Sequence, residues 1–244
     1  MRDIVAQFEE ATPHRAIVSY GSTGKLYAQI RNGAPFALFL AADAERPERL
    51  EREGVAIADS RFTYAVGKLV LWSPDPNLID PRGEVLRQKG VDRIALANPK
   101  SAPYGGAALE VLQRFNLWQS PEITFIQGDS ISQTYQYISS GNVPLGFIAL
   151  AQIALLPPGK SGSHWLIPEA LYQPLRQQAV LLKRGEKSSA AQALYRWLQN
   201  SESRKVITRY GYGLTPSPSA PVHDRAASPA QPQQGDHDLR PEPF

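Results

Sequence analysis

Cysteine is absent from the 244 residues, which excludes disulfides, thiolate metal ligands and a cysteine nucleophile. Long apolar runs are absent as well: none approaches the ~20 residues that a membrane-spanning helix needs. The opening stretch MRDIVAQFEE lacks the basic-then-apolar pattern of an export signal. Charge of one sign is not in excess, since 26 Lys+Arg stand against 23 Asp+Glu for a net +3. That balance is not the footprint of a dedicated nucleic-acid binder. Histidine is scarce, four in all, and catalytic patterns are correspondingly few. There is no Gly-x-Ser-x-Gly elbow and no His-Glu-x-x-His helix. His14 follows Pro13 in a turn. Ser163-His164 is the one pair that hints at nucleophilic chemistry, and a histidine packed beside Trp165 accounts for it without any.

What is present divides in two. From Thr215 to Phe244 the composition shifts: these 30 residues hold 7 of the 21 prolines, and their one aromatic is Phe244. Such a stretch does not bury enough apolar surface to offset its ordering entropy, and residues 215–244 are expected to form a disordered Pro-rich tail. His223 and His237 lie in it, too isolated to read as a metal site. The preceding body is rich enough in apolar residues for a sizeable core, 42% across the whole chain.

The body alternates short β-branched and apolar runs with helically spaced segments. Strands are expected at Ala16–Tyr20, Phe36–Ala41, Val66–Trp72, Arg93–Ala97, Ile123–Ile126, Leu145–Leu150 and Gln178–Leu182. Helices are marked by Ile4, Val5 and Phe8; by Leu26 and Ile30; by Ala108, Val111, Leu112 and Phe115; by Ile131, Tyr135 and Ile138; and by Ala190, Leu194 and Trp197. This alternation predicts an α/β architecture with largely parallel sheets. Val66–Trp72 and Gln178–Leu182 bracket the middle of the chain. If both cross between lobes, residues 1–68 and 181–214 form lobe I and residues 69–180 form lobe II, with a ligand cleft between them. The mixed-charge run Asp43–Glu53 reads as a solvated helix face, with Glu48 and Arg52 spaced for an i,i+4 pair.

Three strand-to-helix junctions share an anion-ready composition. They are Gly21-Ser22-Thr23-Gly24, the stretch Asn98-Pro99-Lys100-Ser101-Ala102-Pro103-Tyr104-Gly105-Gly106, and Gln127-Gly128-Asp129-Ser130-Ile131-Ser132. Each offers backbone N–H groups at a helix start, where unpaired donors and the macrodipole favour anions. Ordinary N-capping explains the same hydroxyls; three such loops facing one cleft would make a site for a small tetrahedral anion. A phosphate-binding P-loop at Gly24-Lys25 is excluded, because Ser19 stands at its first glycine and Leu26 at its magnesium-binding hydroxyl.

With these residues in view, the chain resembles the periplasmic molybdate-binding proteins of ABC transporters, the ModA-like group of type II solute-binding proteins. The matching stretches are Gly21-Ser22-Thr23-Gly24 with Tyr27-Ala28-Gln29-Ile30, Asn32-Gly33-Ala34-Pro35, Ala41-Ala42-Asp43 and Ser60 to Trp72. They continue through Ala97-Asn98-Pro99 with Ala102-Pro103-Tyr104-Gly105, Leu145-Gly146-Phe147 with Ala149-Leu150-Ala151-Gln152, Gly162-Ser163-His164-Trp165, and Arg209-Tyr210-Gly211-Tyr212. The likeness covers about residues 1–214. It implies a two-lobed type II periplasmic-binding-protein fold and a binding protein rather than an enzyme. It further implies a monomer with no cofactor and no nucleic-acid partner, delivering molybdate, and tungstate with it, to a membrane permease from the periplasm. The resemblance implies ligand contacts at Thr23 through its hydroxyl and N–H, with Ser22 beside it, and at Tyr104 and Ile131 through backbone N–H groups. Some relatives add a tyrosine where this chain has Ala149.

The resemblance also implies an export signal and a first strand ending in a Ser/Thr/Asn loop ahead of the first helix. Here Met1 stands at or within that helix. The expectation is therefore fewer donors around the anion and exposed strand edges in lobe I. Two alternatives stay open: a relative that no longer binds, or a receptor for another oxyanion. An enzyme on the same scaffold rests on Ser163-His164 alone.

Overall fold

A computed structural model describes residues 1–88 and 90–215. In chain order the elements are α1 (Arg2–Ala11), α2 (Thr23–Arg31), β1 (Leu38–Ala41), α3 (Glu45–Arg52), β2 (Phe62–Gly67), β3 (Leu69–Ser73) and β4 (Arg93–Ala97). Then follow α4 (Pro103–Arg114), β5 (Thr124–Gly128), α5 (Ile131–Ser139), β6 (Gly146–Ala149), β7 (Ser163–Leu166), β8 (Leu175–Leu181), α6 (Ser189–Trp197) and α7 (Ser201–Arg209). None of the described helices is long and apolar enough to cross a membrane. The expected tail, apart from Thr215, lies outside the described residues.

The strands form two sheets, one in the order β1-β8-β2 and one in the order β5-β4-β6-β3-β7. In the larger sheet every residue of β3 and β6 is buried. Helix α4 covers it with Ala107, Ala108, Val111 and Leu112, all turned to the core. Helix α5 packs with Ile138 against Val70, Trp72 and Ile148. The smaller sheet carries α1, through Ile4, and α7, through Val206 and Ile207. Leu50 of α3 packs near Phe39 and Val180.

Several sequence expectations are corrected by this topology. The sheets are mixed rather than largely parallel: only β4–β5 and β4–β6 run parallel, and the remaining pairs are antiparallel. The reason is the crossing of the chain between sheets. The expected strand Val66–Trp72 is two strands, β2 and β3, with Lys68 between them, each in a different sheet. The chain returns between β7 and β8, and β8 then runs antiparallel to both of its neighbours. All of β8 pairs within the smaller sheet, from Leu175 opposite Gly67 to Leu181 opposite Leu38. The expected lobe boundary at residue 180 thus falls inside a continuous strand.

The expected strand Ala16–Tyr20 does not form. The segment joins no ladder, and Ile17 is fully exposed. Its alternating apolar pattern reports strand propensity, but a ladder needs a partner, and the Ala16 N–H goes instead to Glu9 Oε1 at 2.8 Å. A groove of about 390 Å³ separates this segment from β1. Among the described residues, no strand pairs with β1 on that side. The last expected helix, marked by Ala190, Leu194 and Trp197, forms as α6, and a further helix follows it, α7, which Asn200 caps by accepting from the Ser203 N–H at 2.8 Å. In α3 it is Arg49 that pairs with Glu53, at 3.0 Å, rather than Glu48 with Arg52.

Candidate functional site

The cleft between the two sheets, about 450 Å³, is lined by all four residues singled out above: Ser22, Thr23, Tyr104 and Ile131. They reach it at three helix starts. Helix α2 begins at Thr23 with Ser22 as its N-cap, yet the Ser22 side chain makes no capping bond. Its Oγ is buried and has no hydrogen-bond partner. A buried hydroxyl left unpaired costs about 1–3 kcal/mol. Thr23 Oγ1 accepts from the Ala42 N–H at 3.1 Å, which ties the helix start to the end of β1 and leaves the hydroxyl hydrogen free to donate.

Helix α4 starts with Pro103 after Ala102, an N-cap that has no side chain able to cap. Helix α5 starts with Ile131 after Ser130, whose Oγ accepts from the Gln133 N–H at 3.3 Å. Ordinary capping therefore explains Ser130 but not Ser22. Among the described residues, the backbone N–H groups of Thr23, Tyr104 and Ile131 have no internal acceptor, as first-turn donors do not. The Ile131 carbonyl is held by Gln152 Nε2 at 3.1 Å, while Gln152 Oε1 accepts from the Ala149 N–H at 3.0 Å. One side chain thus fixes the start of α5 against the end of β6.

The electrostatics of the cleft are those of neutral donors. Among the described residues no side chain lining it carries a formal charge, and the Met1 α-amino group that shares the wall is pushed below its ordinary value by burial. Tyr64, Tyr104 and Tyr212 stand on its wall, and burial pushes all three phenols above the ordinary tyrosine range. They remain protonated through the physiological range. Charged pairs sit at the rim instead: Lys25 meets Asp129 at 2.7 Å, joining the α2 and α5 loops across the mouth. The Gly24 N–H donates to the Ser101 carbonyl at 2.8 Å. A side chain at Gly24 would crowd the Ser101 backbone, with a Cβ 2.9 Å from its oxygen. No group of three His, Asp or Glu side chains suited to a metal ion occurs among the described residues.

Ser163 and His164 do not form a catalytic pair. Strand alternation turns Ser163 inward and His164 outward, and Ser163 Oγ is occupied by the Ile79 N–H at 3.0 Å. Sequence reasoning missed Tyr64, Gln177 and Tyr212 as cleft residues. Their one signal was a polar or phenolic side chain inside an otherwise apolar strand or terminal motif.

With this geometry in place, comparison with known proteins is specific. A family model described as bacterial extracellular solute-binding protein matches residues 1–213. The chain is 49% identical over 214 residues to the molybdate-binding protein ModA of Azotobacter vinelandii, across 88% of this chain and 85% of that one. It is 46% identical over 212 residues to the molybdate-binding protein ModA of Rhodobacter capsulatus, across 86% and 82%. The solved structure of the Azotobacter vinelandii periplasmic molybdate-binding protein superposes with a TM-score of 0.84 and 40% identity, covering 88% of this chain and 94% of that one.

Proposed function

The chain belongs to the bacterial extracellular solute-binding protein family, and we propose that it captures molybdate, and tungstate with it, for a membrane permease of an ABC transporter. It is a binding protein rather than an enzyme, and the oxyanion is its cargo rather than a cofactor. The observation that carries this reading is the meeting of three helix starts, each with an unpaired backbone donor, on one cleft where, among the described residues, no side chain is charged. Relatives named for molybdate point to the same ligand.

The chemistry is that of a donor-only cage. A divalent oxyanion without a proton accepts from every N–H and O–H around it. Helix dipoles supply favourable potential without a counter-charge. In this reading the Thr23 hydroxyl and N–H, the Ser22 hydroxyl, and the Tyr104 and Ile131 N–H groups hold the anion. Ser22 and Thr23 belong to lobe I, built on the smaller sheet. Tyr104 and Ile131 belong to lobe II, built on the larger one, so binding holds the two lobes together. The setting is the periplasm, and the protein acts there as a monomer. A protonated oxyanion is disfavoured because it brings a donor to a cage of donors, and sulfate is disfavoured because it is smaller.

Calorimetry and thermal unfolding with molybdate, tungstate and sulfate test the proposal. Ligand at about 100 times its dissociation constant raises stability by ~2.7 kcal/mol. A rise with molybdate and tungstate but not sulfate is expected. A folded chain that responds to none of the three overturns the reading, and a response to sulfate alone replaces the ligand.

A further inference from the structure

We propose that Gln177 is a positioning residue that ties the two walls of the cleft together through the Tyr104 phenol. Its role in ligand binding rests on the oxyanion reading above. Gln177 lies on β8 of the smaller sheet, and Tyr104 lies in the first turn of α4, which packs on the larger one. Both are almost wholly buried, 5% and 4% exposed. Gln177 Nε2 donates to Tyr104 Oη at 2.9 Å. At its other end Gln177 Oε1 accepts from the Tyr64 hydroxyl at 3.0 Å. One amide therefore meets a phenol on each wall, its Nε2 toward Tyr104 and its Oε1 toward Tyr64, and both phenols can donate or accept.

The surrounding backbone is shaped around this contact. The β2–β8 register shifts between Thr63, opposite Gln178, and Ala65, opposite Gln177, so Tyr64 is the extra residue of a bulge. Bulges re-aim side chains and recur beside functional sites. Here the bulge turns Tyr64 toward the cleft, where it lines the wall with Tyr104, Gln177 and Tyr212. Gly67, the last residue of β2 before the chain crosses between sheets, leaves the space that the pair occupies. A Cβ there would fall on Tyr104 Oη and lie 2.8 Å from Gln177 Nε2. Four features of separate sequence regions thus converge on one hydrogen bond between lobes.

The consequence lies in what Tyr104 carries. Its backbone N–H is one of the unpaired donors facing the cleft, and its side chain is anchored to the opposite lobe. Approach of the lobes and orientation of the donor become one event. Loss of the phenol or the amide leaves the N–H in the chain but frees the α4 start to move away.

The absence of native cysteine makes the test direct. Spin labels at Glu48→Cys and Lys160→Cys, both exposed and on opposite lobes, report the inter-lobe distance with and without molybdate. Gln177→Leu, Tyr104→Phe and the double variant are compared, each after a cooperative melt confirms folding. Tyr104→Phe keeps the ring and the N–H and serves as the conservative probe. We expect either single change to lengthen and broaden the ligand-free distance. We expect each to speed molybdate release about tenfold, the scale of one hydrogen bond. The double variant should match Gln177→Leu, because that change already removes the link that Tyr104→Phe breaks. Unchanged distances, additive effects, or shifted distances with wild-type release rates overturn the proposal. A wild-type chain that ignores molybdate while the ligand-free distances still shift leaves the tie standing and overturns only the ligand reading.

Discussion

Strands β1 and β6 are each four residues long, yet their surroundings differ. Strand β6 lies between β4 and β3, and all of its residues are buried. Strand β1 has β8 on one side only, and Leu38 and Leu40 are half-buried. Across the open edge lies a groove and then the extended segment Ala16–Tyr20, with no ladder between them. The larger sheet is therefore a finished scaffold for two of the helix starts that face the cleft. The smaller sheet holds the third start, α2, against a strand that, among the described residues, is paired on one side only. The comparison teaches that the cleft joins a rigid wall to a softer one, and that the contacts between them matter to its geometry.

The largest expected effect comes from the same substitution made in both sheets. Phe147→Ala in β6 removes a fully buried ring and is expected to cost about 3–5 kcal/mol. Phe39→Ala in β1 is expected near about 3 kcal/mol, because an edge strand collapses more readily onto the space left behind. Denaturant unfolding of both variants checks this, and equal losses would erase the distinction between the walls. Hydrogen exchange sharpens the same point: amides of β6 should exchange far more slowly than those of β1.

Next in size is Thr23→Ala at the softer wall. Loss of a hydroxyl donor to a charged ligand is worth about 1.5–3 kcal/mol, or roughly ten- to a hundredfold in affinity. Thr23→Ser should recover most of it, and calorimetry with molybdate reads both. An unchanged affinity in the alanine variant would remove the α2 start from the site.

Smaller still is the rim pair. Lys25 and Asp129 are both largely exposed, and Asp129→Asn, which removes a carboxylate near the anion and frees Lys25, should change binding by no more than about 0.2–1 kcal/mol. The difference should fade with added salt. Titrations at two ionic strengths decide it, and a large salt-independent loss would place Asp129 inside the site.

The smallest effect is expected from pH. The phenols of Tyr64, Tyr104 and Tyr212 are raised by burial and stay protonated, while the Met1 α-amino group on the same wall is lowered by burial, so affinity should fall only slightly between about pH 6 and 9 as that group loses its proton. The phenols contribute to stability that is fully present below the ordinary tyrosine value of about 10. Above it the unfolded chain ionises first, binds fewer protons than the folded chain, and stability falls. Affinity that changes steeply near neutrality would reveal a titrating group in contact with the ligand.

The helix starts were legible because their signals are local. Ser22-Thr23-Gly24, Ala102-Pro103-Tyr104 and Ser130-Ile131 announce a turn into a helix by residue chemistry alone, and each junction leads into one, although α2 and α4 begin at Thr23 and Pro103, inside the stretches read as loops. The apolar runs of β3, β4 and β6 were legible because burial on both faces leaves little room for polar residues. Ala16–Tyr20 misled for the complementary reason: an alternating pattern reports a preference for extended backbone, whereas a strand exists only when a neighbour pairs with it. Tyr64 and Gln177 escaped because a polar residue in a strand has no distinctive pattern until its facing partner is known.

The sequence by itself thus determined where chain segments stiffen into helices and which of them begin with free donors, since hydroxyls, glycine and proline act within a few residues. It also determined that the donors are uncharged. Only the tertiary structure decided that the three starts share one cleft, because their meeting depends on sheet order and on the crossing at Lys68. The bulge that aims Tyr64, the space left at Gly67 and the bond from Gln177 to Tyr104 likewise arise where distant segments are brought to within a hydrogen bond of one another, and no local pattern encodes that distance.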